Sequence, residues 1–178
     1  SALALAALSP AGQAMAQGFF DALARQHVAM QDSSGVAAQK LPMPETEVMA
    51  SLQKVFAEKH AELWSSMLAR TPGAAGPAVV QPEPGDKRFA APEWSESPVF
   101  DYMRQAYLLN AGFLRQMADA MPIADGRAKA RMQFLTRQYI DALSPSNFAA
   151  TNPEFIKTAV ETKGESIARG FQNLLGDL

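Results

Sequence analysis

The sequence predicts an all-α fold, a helical bundle with an extended Pro-rich connector and no significant β-sheet. Hydrophobic residues make up 48% of the 178 residues, which is enough for a core, and alanine, the strongest helix former, supplies much of that share. Several stretches repeat apolar residues every three or four positions, the spacing that one face of a helix requires. The best candidate strand, Val79-Val80, is too short and lies between prolines.

Residues 1–70 are predicted to form two variable amphipathic helices. The first extends from Gln13 to Gln31. The second extends from Glu45 to Arg70, with acidic residues in its first turn and an arginine at its end, as the helix dipole favours. The apolar positions that define these faces are Met15, Phe19, Leu23, Met30, Val48, Leu52, Val55, Phe56, Leu63 and Met67.

Residues 71–92 are predicted to be an extended connector. Six of the twelve prolines lie between Pro72 and Pro98. Proline lacks the backbone N–H and clashes with the preceding helical turn, so a helix through this segment is excluded. The connector therefore separates the N-terminal helices from the rest of the chain.

Residues 93–178 are predicted to fold as a compact bundle of about four helices. The first begins at Ser97-Pro98, where we expect the Ser97 hydroxyl to cap the free N–H groups, and it ends at Pro122. The second extends from about Asp125 to Leu143.

The two remaining helices are shorter. One begins at Thr151-Asn152 and ends near Thr162, and either of its first two residues suits the N-cap. With Thr151 as the cap, Glu154 would complete a capping box; with Asn152 as the cap, proline would take the first helical position. The last helix spans about residues 165–175.

No catalytic, cofactor-binding or metal site is predicted. The chain has no cysteine, which excludes thiol nucleophiles and Cys-based metal sites. Its two histidines, His27 and His60, lie on separate predicted helices without a suitably spaced carboxylate, and we interpret them as ordinary surface or partly packed residues. Phosphate-binding loops, dinucleotide fingerprints and Gly-x-Ser-x-Gly elbows are absent from the sequence. A scaffold or interaction role follows.

The charge and the hydropathy of the chain argue against two kinds of partner, nucleic acid and the membrane interior. The net charge is −2 and no segment is strongly basic, so nucleic acid is not an expected partner. One basic cluster, at Arg127, Lys129, Arg131 and Arg137, is interpreted as a solvated helix face. Residues 1–20 are uncharged, but polar residues and a proline interrupt them, so neither a transmembrane segment nor a signal peptide is predicted.

Three sequence elements of the second half point to a known family. They are a D-x-R-F…W element, an S-P-S-N-F…T-N-P element and a G-E-S element, formed by Asp86, Arg88, Phe89, Trp94, residues 144–148, residues 151–153 and residues 164–166. In this order they resemble the N-terminal domain of bacterial polyhydroxyalkanoate synthases of the single-subunit, class I-like kind. The resemblance covers about residues 84–178.

The resemblance implies one function for the whole synthase and another for its N-terminal domain, which this chain resembles. Such synthases polymerise (R)-3-hydroxyacyl groups from coenzyme A thioesters into polyesters such as poly-3-hydroxybutyrate and release coenzyme A. The chemistry belongs to a C-terminal α/β-hydrolase domain with a Cys-Asp-His triad, which this chain is expected to lack. The N-terminal domain would support dimerisation, activate the catalytic domain and bind granule-associated proteins, in the cytoplasm at polyester granules.

Four motif residues are interaction candidates. Asp86 and Arg88 are expected to pair or to fix the connector, and Phe89 and Trp94 to anchor it in a groove. Two interpretations stay open: these residues attach the connector to the domain's own helices, or they contact the catalytic domain or a second subunit.

Apolar residues of the first two helices are candidates for contact with the granule or a partner. Their faces would bury against polyester as against a lipid boundary, or else against the rest of this domain. The candidates are Phe19, Phe20, Leu23, Leu52, Phe56 and Leu63. A free-standing, phasin-like granule-coat protein is the alternative function, and an independent enzyme is a more distant one.

Overall fold

The computed structural model describes residues 43–70 and 76–162, together with Arg169 and Asn173. Within these residues it contains five α-helices, one 3-10 helix and no strand, which confirms the predicted all-α fold. The elements are α1 (Thr46–Leu68), α2 (Glu93–Glu96), α3 (Pro98–Ala120), α4 (Gly126–Ala142), the 3-10 helix (Pro145–Asn147) and α5 (Pro153–Glu161). None of these helices is long and apolar enough to cross a membrane.

Helix α3 forms the centre of the domain. Its apolar residues cover a wide face, and α1, α2 and α4 all pack against it. The main core consists of Phe89, Trp94, Tyr107, Leu108, Ala111, Leu114, Met117, Ala118, Met121, Met132 and Ile140.

The ends of α3 follow from its prolines, with one correction. Pro98 takes the first helical position, and the helix ends two residues before Pro122. Ser97 occupies the N-cap, but its hydroxyl makes no capping hydrogen bond, so that expectation was wrong. Because Pro98 has no N–H, the first turn has one fewer donor to satisfy.

Helix α1 lies close to its predicted bounds and packs along α3. Its apolar stripe places Phe56 and Leu63 in buried positions, and the Phe56 ring lies 5.0 Å from that of Phe113 on α3. Arg70 falls beyond the end of the helix, so it is not the dipole-compensating residue that the sequence suggested.

The connector is irregular from residue 76 to residue 92, as predicted, but it packs into the domain. The N–H groups of Val79 and Val80 donate to Oε1 of buried Gln105 at 2.8 and 3.2 Å. Phe89 joins the main core. Residues 43–70 and residues 76–92 therefore both pack against the helices of residues 93–162.

Side-chain N-caps begin both α4 and α5. The Asp125 carboxylate accepts from the N–H of Arg127 at 2.9 Å and starts α4. Asn152 is the N-cap of α5, since its Oδ1 accepts from the N–H of Glu154 at 3.0 Å. Thr151 instead donates to the carbonyl of Pro145 at 2.6 Å, which decides between the two predicted caps. The predicted helices over residues 13–31 and 165–175 lie outside the described ranges.

Candidate interaction site

A tight turn presents the motif residues of the connector. The N–H of Asp86 donates to the carbonyl of Glu83 at 3.0 Å, and Gly85 between them has φ +90°. Proline followed by a glycine with positive φ is typical of a type II turn, because only glycine adopts that conformation without strain. The turn directs the chain onto α3 and brings Asp86 and Arg88 to its surface.

Arg88 joins three parts of the molecule. Its Nε and Nη2 donate to the two carboxylate oxygens of Asp86 at 2.9 and 2.8 Å, a bidentate pair. Its Nη1 donates to the hydroxyl of Tyr107 on α3 at 3.0 Å and to Oδ1 of Asp141 on α4 at 2.8 Å. We call these four residues the Arg88 cluster. It fixes the connector to both helices.

The surroundings of the Arg88 cluster keep Asp86 ionised and Tyr107 neutral. The hydrogen bonds from Arg88 lower the pKa of Asp86, so this carboxylate stays ionised. Burial raises the pKa of Tyr107, whose hydroxyl donates to the carbonyl of Ile140 at 3.0 Å. A carboxylate held ionised and a phenol held neutral do not exchange protons near neutral pH, so the cluster suits binding and positioning better than acid–base catalysis.

Phe89 and Trp94 are buried inside the domain. Phe89 is 5% exposed and Trp94 is 0% exposed, and their rings meet edge to face at 5.0 Å. The Phe89 ring also lies 5.7 Å from the Tyr107 ring, and Trp94 lies 5.8 Å from Phe100. Both motif aromatics therefore attach the connector and α2 to α3. Contact of these residues with a catalytic domain or a second subunit stays a prediction.

A second charged cluster was missed by sequence reasoning. Arg70, just after α1, donates to Oδ2 of Asp101 at 2.7 Å and to the carbonyl of Ser95 at 2.5 Å. Arg104 donates to the other oxygen of Asp101 at 2.6 Å. The side chains of the ion pair between Arg70 and Asp101 are only 5% and 7% exposed. The one available signal was an aspartate among the apolar positions that begin α3, which needs a buried partner.

The granule candidates fall into two groups. Phe56 and Leu63 are buried against the rest of the domain, and Leu52 is half-buried. In this arrangement, Phe56 and Leu63 reach a polymer or a partner only if α1 detaches from α3. Phe19, Phe20 and Leu23 lie outside the described residues.

A cleft and the placement of possible metal ligands complete the description of this region. A cleft of about 260 Å³ lies beside the Arg88 cluster, and its charged lining residues Asp86, Arg88, Glu83 and Arg115 are paired with one another. In the part of the chain that the structure describes, no group of three or more His, Cys, Asp or Glu residues is placed to hold a metal ion.

The known proteins that this chain is similar to are poly(3-hydroxyalkanoate) polymerases. A poly(3-hydroxyalkanoate) polymerase of Methylorubrum extorquens is 40% identical over 143 residues, 80% of this chain and 23% of that protein. The PhaC polymerase subunit of Cupriavidus necator is 35% identical over 130 residues, 73% of this chain and 21% of that protein. The corresponding subunit of Rhizobium meliloti is 33% identical over 117 residues, 66% of this chain and 19% of that protein.

This chain thus spans about a fifth of the length of these relatives. No solved structure matches it significantly. The family model described as the N-terminus of poly-beta-hydroxybutyrate polymerase (PhaC) matches residues 85–178, which contain the Arg88 cluster, both motif aromatics and α2 to α5. The chain belongs to the family of poly-beta-hydroxybutyrate polymerase N-termini.

Proposed function

We propose that this chain is the non-catalytic N-terminal domain of a polyhydroxyalkanoate synthase. The parent enzyme polymerises (R)-3-hydroxyacyl groups from coenzyme A thioesters and releases coenzyme A. The chain supports dimerisation of that enzyme, activates its catalytic α/β-hydrolase domain, and directs it to polyester granules through granule-associated proteins or the polymer surface.

One observation carries the proposal. The family match covers the part of the chain whose distinctive residues brace the fold, namely Asp86, Arg88, Phe89 and Trp94. Arg88 and Asp86 neutralise each other, and the two aromatics fill the core, so these residues build a rigid body. A rigid helical body that matches only a small part of longer polymerases suits a scaffold that acts on the remainder of the protein.

A physical mechanism for activation is the stabilisation of one arrangement of the catalytic domain. A domain that binds the active form more tightly than the inactive form shifts the population toward activity by the ratio of the two affinities. Binding two copies of the catalytic domain in one orientation would favour the dimer in the same way. The phasin-like alternative gains no support, because the curated relatives are polymerases.

The test uses a full-length synthase that contains this chain, with a protease site placed after residue 178. Coenzyme A release from 3-hydroxybutyryl-CoA is followed before cleavage, after removal of the N-terminal piece, and after adding it back, with light scattering for mass. We expect removal to lower the rate and the dimer fraction, and addition to restore both. An unchanged rate, mass and granule partition after removal would contradict the proposal.

A further inference from the structure

The outer side of α4 carries three arginines around one exposed aromatic ring. Arg127 and Arg131 precede Phe134 by two turns and one turn of the helix, and Arg137 follows it by one turn, so the four side chains project from the same side. All three arginines are exposed, and Phe134 is 52% exposed. Lys129, the other basic residue of the predicted cluster, is half-buried instead. We call Arg127, Arg131, Phe134 and Arg137 the α4 basic face.

The arginines of this face differ from the other arginines of the domain. The structure pairs the remaining arginines between residues 43 and 162 with carboxylates; they are Arg70, Arg88, Arg104 and Arg115. Within the described residues, none of the three guanidinium groups of the α4 basic face forms a hydrogen bond or an ion pair. Arginines beside an exposed aromatic ring are typical of protein interfaces. An acidic surface would complement this face.

An acidic surface lies on α2 and α5 of the same chain. Nζ of Lys157 on α5 donates to Oε1 of Glu93 on α2 at 2.6 Å, which joins the two helices. The pKa of Lys157 is raised first by this hydrogen bond and then by the nearby charges of Glu161 and Glu96. Glu154 is exposed two turns before Glu161, on the same side of α5. We call these five residues the acidic surface, and its four glutamates exceed its one lysine by three charges.

The two surfaces do not neutralise each other within one molecule. In the part of the chain that the structure describes, no ion pair joins the α4 basic face to the acidic surface, whose one ion pair is internal. The three positive charges of one surface equal the three excess negative charges of the other. A second copy of this chain therefore presents to each surface a charge of the opposite sign and the same size.

We propose that the α4 basic face of one copy docks on the acidic surface of a second copy, an inference that rests on the proposed function. In a two-fold dimer this contact occurs twice, because each copy supplies its basic face to the partner and receives the partner's in return. Such a dimer brings opposite charges together at both contacts, whereas a register that placed like surfaces together would be repulsive.

The experiment measures the dimer dissociation constant of a full-length synthase that contains this chain, by sedimentation equilibrium at low salt, where charge is least screened. A basic-face variant carries Arg131→Glu with Arg137→Glu, and an acidic-surface variant carries Glu96→Lys with Glu161→Lys. A swapped variant carries all four changes. We expect each of the first two to raise the dissociation constant about tenfold or more, because like charges then meet. The swapped variant should return to within about threefold of the wild type, because its charges are again opposite.

A matched control makes the same change of charge on α1. In Lys54→Glu with Lys59→Glu, both lysines come from exposed ion pairs within that helix. We expect this control to change the dissociation constant less than about twofold, because exposed pairs within one helix contribute little. A control that weakens the dimer as much as the basic-face variant would overturn the inference, because net charge alone would then explain both effects.

The other outcomes decide separate points. Unchanged dissociation constants in both single-surface variants would overturn the inference and leave the proposed function standing, because the dimer would then form elsewhere. A swapped variant as weak as the single-surface variants would also overturn it, because the two surfaces would not face each other. Arginine changes that leave the dimer intact but abolish binding of a labelled DNA duplex would assign the α4 basic face to nucleic acid instead. A wild-type synthase that stays monomeric at micromolar concentration would contradict the proposed dimerisation as well.

Discussion

Arg88 makes more directional contacts than any other charged side chain of the connector. Its guanidinium reaches Asp86, Tyr107 and Asp141 together, and its side chain is 33% exposed. A lysine has the same charge but only one nitrogen, so it cannot form the bidentate pair and reach α3 and α4 as well. The cluster therefore depends on the shape of the guanidinium as much as on its charge.

We expect Arg88→Lys to lower the free energy of unfolding of the domain by about 2 kcal/mol, because charge-assisted hydrogen bonds are lost near the core. The matched control is Asp141→Asn, at a carboxylate that is 57% exposed, where we expect a loss below about 1 kcal/mol. Urea unfolding at neutral pH measures both. Equal losses for the two variants would show that the guanidinium geometry does not matter.

The pH dependence of the same pair has a defined sign. The pKa of Asp86 is lowered in the folded domain, chiefly by hydrogen bonding to Arg88. Its contribution to stability is therefore complete above the ordinary aspartate pKa and is lost as pH falls through the lowered pKa. The stability difference between wild type and Arg88→Lys should shrink as the solution is acidified below about pH 4. A difference that stays constant down to pH 2 would argue against the ion pair as its source.

Part of this cluster could be predicted from sequence and part could not. Asp86 and Arg88 are two positions apart in an irregular segment, so their pairing is a local feature that the motif itself suggests. Tyr107 and Asp141 are 19 and 53 positions from Arg88, and only the packing of α3 against α4 brings them together. The pairing of Arg70 with Asp101 was missed for the same reason.

At the scale of elements, helix bounds were predictable and helix partners were not. Apolar periodicity and prolines located α1, α3, α4 and α5 to within a few residues. The same periodicity defines an apolar face without saying whether it meets polymer, a partner or another helix. For Phe56 and Leu63 on α1 the structure places α3 against that face. On α5 it buries Pro153 and half-buries Ile156 and Ala159, whereas Phe155 and Val160 stay exposed.

We expect Phe56→Ala to lower the free energy of unfolding by about 3 kcal/mol, because truncating a buried phenylalanine leaves a cavity. Phe56 is 5% exposed and packs on Phe113. Its neighbour Val55 is 50% exposed, and Val55→Ala should change stability by less than about 0.5 kcal/mol. Thermal and urea unfolding of the two variants provide the comparison. Similar small effects at both positions would mean that α1 is not an integral part of the bundle.

At the scale of the whole molecule, the packing of α1 changes how the granule hypothesis is tested. Deleting residues 1–70 removes the predicted variable helices, but it also removes α1 and uncovers Phe113 and the α3 surface beneath it. Lost granule partitioning in that variant would not distinguish a missing granule contact from a destabilised domain. A deletion that stops before α1 separates the two.

We therefore expect removal of residues 1–42 from the full-length synthase to lower its partitioning to polyester granules, because Phe19, Phe20 and Leu23 are lost while the packing of Phe56 on α3 is kept. Sedimentation with isolated granules measures partitioning, and the melting temperature of the matching N-terminal piece provides the control. Lower partitioning with an unchanged melting temperature assigns granule contact to residues 1–42. Unchanged partitioning excludes residues 1–42 as the granule contact. The next side chains to test in this domain are then Val55, Trp64 and Leu68 on α1, which are 50%, 51% and 70% exposed.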